Sequence, residues 1–193
     1  MNKLTHAAAK TVFSGVVDYA IGQVNKNPEE AYEKIIDTAE KHMKDFQTGV
    51  NWDYLRRVAC NPEYTLNRYV TSIVKDLHPN VLKTTLMNLG FEALYNGTKT
   101  IREMRKIHNC NIPWIILMDP TSACNLHCTG CWAAEYGNKL NLSFEDMDSI
   151  VTQGKELGVY FYMMTGGEPM VRKKDIIELC RKHNDCVFFA YTN

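Results

Sequence analysis

The sequence predicts an α/β fold in which a helical N-terminal region, residues 1–109, precedes a region of alternating strands and helices, residues 110–193. Two observations support this prediction. In the first region, apolar residues recur at helical spacing behind proline-containing helix starts. From Ile112 onward, short apolar runs alternate with amphipathic stretches in the order β-α-β-α-β, which is typical of a parallel sheet whose strands are joined by helices.

The helical region contains three proline-containing helix starts. Asn27-Pro28 and Asn61-Pro62 each supply a capping side chain and then a proline, which suits the first helical position. His78-Pro79-Asn80 ends the second of these helices and begins a third, which we expect to run to the turn signal Asn96-Gly97. A weaker helix follows through Ile101. This half of the chain resembles a small helical bundle, and its residues indicate no particular chemistry.

The second region contains three predicted strands and two predicted helices. The strands are residues 112–118, 159–164 and 186–191, and the helices are residues 143–158 and 175–183. Ser143 begins the first helix, with Asp146 completing an approximate capping box. An open sheet of three parallel strands has an exposed edge and a half-covered face, which a finished domain would not normally leave. We therefore expect the chain to be the front part of a longer protein.

Composition and charge exclude several classes of function. Lys plus Arg equals Asp plus Glu at 22 each, so bulk charge gives no reason to expect nucleic acid or an anionic membrane as partner. No uncharged apolar run approaches the about 20 residues that a membrane helix needs. The start of the chain does not resemble a signal peptide. The seven cysteines are therefore expected to be thiols or metal ligands in a reducing, cytoplasmic compartment.

Three cysteines follow the first predicted strand with the spacing C-x3-C-x2-C: Cys124, Cys128 and Cys131. Parallel α/β folds place their functional loops at this end of a strand. Three thiolates so close in sequence can bind three irons of a 4Fe-4S cluster and leave the fourth iron open. The alternatives are a structural zinc site completed by a side chain such as His127, and an electron-transfer iron-sulfur protein. The spacing by itself favours the cluster over zinc.

A second motif, Thr165-Gly166-Gly167-Glu168-Pro169, follows the second predicted strand at the same end of the sheet. Glycines allow the backbone to approach a ligand closely and to adopt torsions that other residues avoid. Glu168 adds an acceptor and Pro169 fixes the exit of the chain. Such a turn can present carbonyl oxygens and a carboxylate to an amine. Taken alone, the same residues predict only a tight turn between a strand and a helix.

The cysteine loop and the Gly-Gly-Glu turn on consecutive β/α units resemble the radical S-adenosylmethionine (radical SAM) superfamily over residues 112–193. The resemblance implies that the strands are the first three of a partial parallel β/α barrel. It implies that Cys124, Cys128 and Cys131 bind a 4Fe-4S cluster, whose open iron is chelated by the amino and carboxylate groups of S-adenosylmethionine. Gly166, Gly167, Glu168 and Pro169 then form the cofactor-binding turn. Thr192-Asn193 resembles the start of a Thr-Asn-Gly turn found in one branch.

The same resemblance implies an enzyme that generates a 5'-deoxyadenosyl radical and abstracts hydrogen from a substrate, a peptide or small molecule that the sequence does not identify. A reductant protein such as a ferredoxin or flavodoxin would be its partner, and the 193-residue chain alone is expected to be inactive. Family members usually carry an aromatic residue where this chain has Gly130, so Trp132 is either a residue that stacks on the adenine instead or, as is commoner, a core tryptophan. The loop of residues 132–142, with Glu135 and Tyr136, is either a lining of the substrate side of the site or a solvated connection.

The remaining cysteines and histidines have ordinary expected roles. Cysteines outside the loop, including Cys110 and Cys186, are expected to be small core residues. Histidines such as His78 and His183 are expected to have surface or capping roles.

Overall fold

The computed structural model describes residues 3–43, 51–131, 133 and 139–193. The chain forms two compact units, residues 1–86 and residues 87–193. The division lies N-terminal to the predicted boundary at residues 109 and 110, because Ile101 and Met104 belong to the hydrophobic core around the sheet. None of the described helices is long and apolar enough to cross a membrane.

The described residues of the first unit form helices joined by short turns. Its helices are α1 (Lys3–Lys26), α2 (Pro28–Met43), α3 (Trp52–Ala59), α4 (Thr65–Asp76) and α5 (Pro79–Leu86). Pro28 stands at the first helical position of α2, as predicted, and the predicted helix start at His78-Pro79-Asn80 is also present, with Pro79 as the first residue of α5. The predicted start at Asn61-Pro62 is wrong, because α4 begins at Thr65. Asn61 instead closes a turn, with its side-chain oxygen accepting from the Glu63 amide at 2.9 Å.

One buried cluster of this unit contains Val24, Ala31 and Tyr32, against which half-buried residues of α3 and α4 pack. The Tyr32 hydroxyl lies 3.0 Å from the Thr71 hydroxyl and so joins α2 to α4. On the surface, Arg56 of α3 binds carboxylates of α2. These contacts join α2 to α3 and α4.

The second unit begins with a π-helical segment, Met87–Gly97, that leads into α6 (Thr98–His108). The predicted turn at Asn96-Gly97 is therefore wrong, since the chain remains helical there. Gly97 is needed for packing: a Cβ at this position would lie 2.5 Å from the carbonyl oxygen of Gly158. Asn88 of the π-helical segment donates to the carbonyls of Asn184 and Cys186, which fixes the segment to the start of the third strand.

The sheet has the predicted β-α-β-α-β order. Its strands are β1 (Ile115–Met118), β2 (Phe161–Met164) and β3 (Val187–Ala190), joined by α7 (Phe144–Glu156) and by a 3-10 turn (Pro169–Arg172) that continues into α8 (Lys173–Lys182). The strands are parallel and ordered β1-β2-β3. Each strand is shorter than its predicted range, and the remaining residues of that range belong to the flanking loops. The Ser143–Asp146 capping box that begins α7 is confirmed.

The two faces of the sheet differ in burial. Met118, Tyr162 and Met164 face the core that contains residues of α7 and α8. On the opposite face, the paired row Leu117, Met163 and Phe189 is more open, and Leu117 and Phe189 are about half exposed or more, at 60% and 49%. The described residues thus form an open, three-stranded parallel sheet covered on one face.

Candidate functional site

Three loops meet at the carboxyl edge of the sheet. Parallel strands place the loops that follow them at the same edge. The cysteine loop follows β1, the Gly-Gly-Glu turn follows β2, and residues 191–193 follow β3. Both predicted motifs therefore lie at one edge, as the β-α-β-α-β pattern requires.

The cysteine loop and the Gly-Gly-Glu turn are directly hydrogen-bonded to each other. Beyond the ends of β1 and β2, the Thr165 amide donates to the Met118 carbonyl at 2.8 Å. The Gly167 amide then donates to the Thr121 carbonyl at 2.9 Å, and the Glu168 amide to the Ala123 carbonyl at 2.8 Å. The parallel pairing of the strands thus continues to the residue that precedes Cys124. The two motifs form a single structural unit.

Each glycine of the turn is required for a different reason. Gly166 has φ of 96°, a left-handed conformation that residues with a Cβ rarely adopt. Gly167 has no positive φ, but a Cβ there would lie 2.2 Å from the Ala123 carbonyl oxygen. The close approach predicted for these glycines therefore exists, and within this chain it is made to the backbone of the cysteine loop.

Glu168 is a buried carboxylate, and both of its oxygens accept hydrogen bonds from donors of the same chain. The residue is 6% exposed. Its Oε1 accepts from the Met170 amide at 2.8 Å and the Thr192 hydroxyl at 2.7 Å. Its Oε2 accepts from the Asn193 amide at 3.0 Å and the Asn193 side chain at 2.7 Å. Burial raises the pKa of Glu168, but the hydrogen bonds from Asn193, Thr192 and Met170 outweigh it and leave the pKa below its ordinary value.

The base of the cysteine loop is closed by a short antiparallel contact. Thr121 and Asn141 form a bridge, the Ser122 amide donates to the Leu140 carbonyl at 2.8 Å, and the Leu142 amide donates to the Pro120 carbonyl at 3.1 Å. This contact brings residues 120–122 beside residues 140–142. The long loop between β1 and α7 is therefore held together at its neck, on the β1 side of the cysteines.

Arg172 strengthens this neck. Its Nη1 donates to the Leu142 carbonyl at 2.7 Å and to the Pro120 carbonyl at 3.3 Å, while its Nε donates to Asp175 at 2.6 Å. Because Arg172 ends the turn that begins at Pro169, it connects the exit of the Gly-Gly-Glu motif to both sides of the neck. Sequence reasoning missed Arg172, since nothing in its local pattern indicates carbonyl partners distant in the chain.

The three cysteines are accessible thiols in one loop. Cys124 and Cys128 are exposed and Cys131 is half-buried, and none of them forms a disulfide. The Cys131 amide donates to the Cys128 carbonyl at 3.2 Å, which closes a four-residue turn. Gly130, third in this turn, has φ of 75°, a conformation that a type II turn requires at that position. Soft, accessible thiols at this spacing suit an iron-sulfur cluster.

The thiols are not gathered around a single metal ion. Within the described ranges, no group of three or more histidine, cysteine, aspartate or glutamate side chains lies in an arrangement that would hold one ion.

Asn125 and Asn193 connect the cysteine loop to Glu168. The two side-chain amides form a reciprocal pair: Asn125 Nδ2 donates to Asn193 Oδ1 at 3.1 Å, and Asn193 Nδ2 donates to Asn125 Oδ1 at 3.0 Å. Asn193 Nδ2 also donates to Glu168. Thr192-Asn193 was noticed in the sequence only as a resemblance to a turn. The partner Asn125 gave no signal, because the pair is separated by 68 residues.

Several other predicted residues have different outcomes. Trp132, Glu135 and Tyr136 lie outside the described residues. Cys110 is exposed, so its expected place in the core is wrong, whereas Cys186 is buried as expected. His183 is also buried, at 6% exposure, and its Nε2 lies 2.9 Å from Asp148 Oδ1. It is therefore not a surface residue, but its expected capping role is confirmed, because His183 is the C-cap residue of α8 and its backbone amide donates to the Leu179 carbonyl at 2.9 Å. Its side chain also joins α8 to α7 through Asp148.

Comparison with known proteins agrees with this geometry. Residues 118–193 match the family model of the radical SAM superfamily. A GTP 3',8-cyclase of Geobacter sulfurreducens is 40% identical over 65 residues, which are 32% of this chain and 20% of the cyclase. The chain thus spans about a fifth of the length of that relative. No solved structure matches the chain.

The open parallel sheet, with a cysteine loop and a Gly-Gly-Glu turn at its carboxyl edge, is consistent with part of a radical SAM core. The match to the radical SAM superfamily lies at residues 118–193, and proteins of that superfamily bind a 4Fe-4S cluster and S-adenosylmethionine. The match covers the three cysteines, the Gly-Gly-Glu turn and the Thr192-Asn193 end of the sheet.

Proposed function

We propose that this chain is the front part of a radical SAM enzyme and that Cys124, Cys128 and Cys131 hold its 4Fe-4S cluster. The observation that carries the proposal is that three accessible thiols occupy one loop whose start is hydrogen-bonded to the Gly-Gly-Glu turn. Three thiolates ligate three irons and leave one iron for another ligand. The donors are therefore suited to a cluster that also binds a small molecule.

The residues of this chain would bind and orient the cofactors. When bound, the cluster and S-adenosylmethionine together supply the one-electron chemistry that yields a 5'-deoxyadenosyl radical for hydrogen abstraction. Gly166, Gly167, Glu168 and Pro169 form the turn beside the cysteine loop, where backbone carbonyls can meet the amino group of S-adenosylmethionine. Because the Glu168 carboxylate already accepts four hydrogen bonds, we assign the contact with the amine to the backbone of this turn.

The partners of the whole protein belong to the same proposal. Reduction of the cluster requires an electron donor, for which we propose a ferredoxin or flavodoxin, and free thiol ligands suit a reducing, cytoplasmic compartment. The substrate is a peptide or small molecule.

Anaerobic reconstitution with ferrous iron and sulfide tests the proposal. The wild-type chain should become brown, bind about four irons per chain as a 4Fe-4S cluster requires, and change its electron paramagnetic resonance spectrum when S-adenosylmethionine is added. Replacing Cys124, Cys128 or Cys131 by Ala should abolish stable uptake. Cys110→Ala is the matched control, since Cys110 is also an exposed thiol and lies outside the loop.

Two results would overturn the proposal. A colourless protein that retains one zinc ion per chain would identify a zinc-stabilised module. A brown protein whose spectrum does not respond to S-adenosylmethionine would identify an electron carrier.

A further inference from the structure

The loops after all three strands are joined by one continuous set of side-chain hydrogen bonds. Asn125 belongs to the loop after β1, Glu168 to the turn after β2, and Asn193 follows β3. Asn193 contacts both of the others, with its Nδ2 at 3.0 Å from Asn125 Oδ1 and 2.7 Å from Glu168 Oε2. Thr192 adds a bond from its hydroxyl to Glu168 Oε1 at 2.7 Å. We name Asn125, Glu168, Thr192 and Asn193 the edge network.

The edge network is anchored by a charge. Glu168 is buried and its pKa is held below the ordinary value, so the carboxylate is ionised at neutral pH. Hydrogen bonds to an ionised acceptor are stronger than those between neutral groups. Both backbone and side chain of Asn193 donate to Glu168 Oε2, so the orientation of that side chain is fixed. Its remaining acceptor, Oδ1, is then directed to Asn125.

Because Asn125 lies next to Cys124, the fixed orientation of the Asn193 side chain also restrains the cysteine loop. Asn125 is the residue after Cys124, and both are exposed, so little packing restrains this part of the loop. The backbone bonds to the Gly-Gly-Glu turn end at Ala123. The amide pair with Asn193 therefore extends the connection between the two motifs past the first cysteine. At the base of the loop, the neck pairs residues 120–122 with residues 140–142.

We propose that Asn193 and Asn125 are positioning residues, which fix the Cys124 end of the cysteine loop relative to Glu168 and so set the distance between the cluster and the Gly-Gly-Glu turn. Thr192 supports them by holding the other oxygen of Glu168. This inference rests on the proposed function, since it assigns these residues a role in presenting the cluster to S-adenosylmethionine.

The test uses the full chain, reconstituted anaerobically, and compares Asn125→Ala, Asn193→Ala and the double variant with wild type. Asn184→Ala is the matched control, because Asn184 is an exposed asparagine that precedes β3, whereas Asn193 follows it. Two quantities are measured for each protein: the half-life of the cluster after an iron chelator is added, and the S-adenosylmethionine concentration that gives half of the spectral change. Iron content and circular dichroism confirm uptake and folding.

Each single variant should bind as much iron as wild type. It should lose the iron at least about fivefold faster and need at least about fivefold more S-adenosylmethionine for half of the spectral change. Effects of this size are expected when a pair of hydrogen bonds is lost. The double variant should be within about twofold of the worse single variant, because both changes break the same pair. Thr192→Val should weaken the response to S-adenosylmethionine, and Thr192→Ser should restore it.

The outcomes separate this inference from the proposed function. If wild type takes up no cluster, the proposed function fails and the inference falls with it. If wild type binds the cluster and responds to S-adenosylmethionine, but the asparagine variants match Asn184→Ala, the inference alone is wrong. It is also wrong if the single effects multiply in the double variant, since the two residues would then act independently. Asn125 is exposed, so Asn125→Ala provides this test even if Asn193→Ala does not fold.

Discussion

Replacing Glu168 by Gln should loosen the carboxyl edge of the sheet although the two side chains have the same shape. The carboxylate accepts two hydrogen bonds on each oxygen. A glutamine amide has only one acceptor oxygen, and its NH₂ group must face two of the four donors. If the NH₂ group faced Asn193, it would meet two N–H donors, the backbone amide and the side-chain amide of that residue. If it faced Met170 and Thr192, the cost would be lower, because the Thr192 hydroxyl can rotate and accept a hydrogen bond.

The magnitude follows from the better of these two placements. The Met170 amide loses its acceptor, and the bonds that remain are made to a neutral group. Loss of one bond to a charged acceptor costs about 1.5–3 kcal/mol, and the weakening of the others adds to this, so we expect about 2–4 kcal/mol in total. Because about 1.4 kcal/mol corresponds to a factor of ten, local opening should become roughly 30- to 1000-fold more frequent.

Hydrogen exchange followed by mass spectrometry measures this opening directly in the amides of Met170 and Asn193. In E168Q, peptides containing these amides should exchange faster by that factor, while peptides from residues 3–43 should be unchanged. Glu178→Gln is the matched control, since Glu178 is exposed on α8 and undergoes the same chemical change. Equal exchange in the two variants would refute the reasoning, because it would show that the four hydrogen bonds contribute nothing to the stability of this edge.

The same carboxylate gives a pH dependence whose sign is fixed. The pKa of Glu168 is lower in the folded chain than its ordinary value of 4.5. Its contribution to stability is therefore complete above pH 4.5 and is lost as the pH falls through the lower, folded value. After correction for intrinsic rates, the wild-type amides should lose protection over that range, and those of E168Q should not. Wild-type protection that is constant across this range would contradict the role assigned to the charge.

Three further substitutions test the glycines and the neck of the loop. Gly167→Ala places a Cβ 2.2 Å from the Ala123 carbonyl oxygen, and overpacking of about 1–3 kcal/mol should reduce the iron bound on reconstitution. Gly130→Ala meets no atom within 4 Å but keeps φ of 75°, so we expect about 1–2 kcal/mol of backbone strain, measured as faster loss of the cluster to a chelator. Arg172→Met removes the donor to the Leu142 carbonyl at 2.7 Å and should speed exchange of the Leu142 amide about tenfold, whereas Arg172→Lys should have a smaller effect. Wild-type behaviour in any of the three would contradict the corresponding contact.

The parts of the fold that were predicted correctly depend on local signals. The Ser143–Asp146 capping box and the alternation of strands and helices are properties of short segments, and both are present. The predicted helix start at Asn61-Pro62 and the predicted turn at Asn96-Gly97 are wrong, because the same residue types occur in more than one kind of local structure. Asn61 closes a turn before α4, and Gly97 lies within a helical segment where it allows close packing on Gly158.

The site shows the same division between local and distant information. Its cysteines and its Gly-Gly-Glu turn were recognised from their spacing, which is set within each loop. The bonds that join the loops were not predicted, because Asn125 and Asn193 are separated by 68 residues and each has an unremarkable sequence context. The burial of His183 was not predicted from the sequence either, because its partner Asp148 lies on a different helix.

Gly130 illustrates how a departure from a family pattern can have a backbone cause. An aromatic residue usually precedes the third cysteine in proteins that this region resembles, yet here that position is third in the turn from Cys128 to Cys131 and has φ of 75°. An L-residue with a side chain would be strained by about 1–2 kcal/mol in that conformation. The turn sets how far Cys128 lies from Cys131, so the glycine serves the spacing of two proposed cluster ligands. The resemblance predicts an aromatic ring at this position, and in this chain the position shapes the loop itself instead.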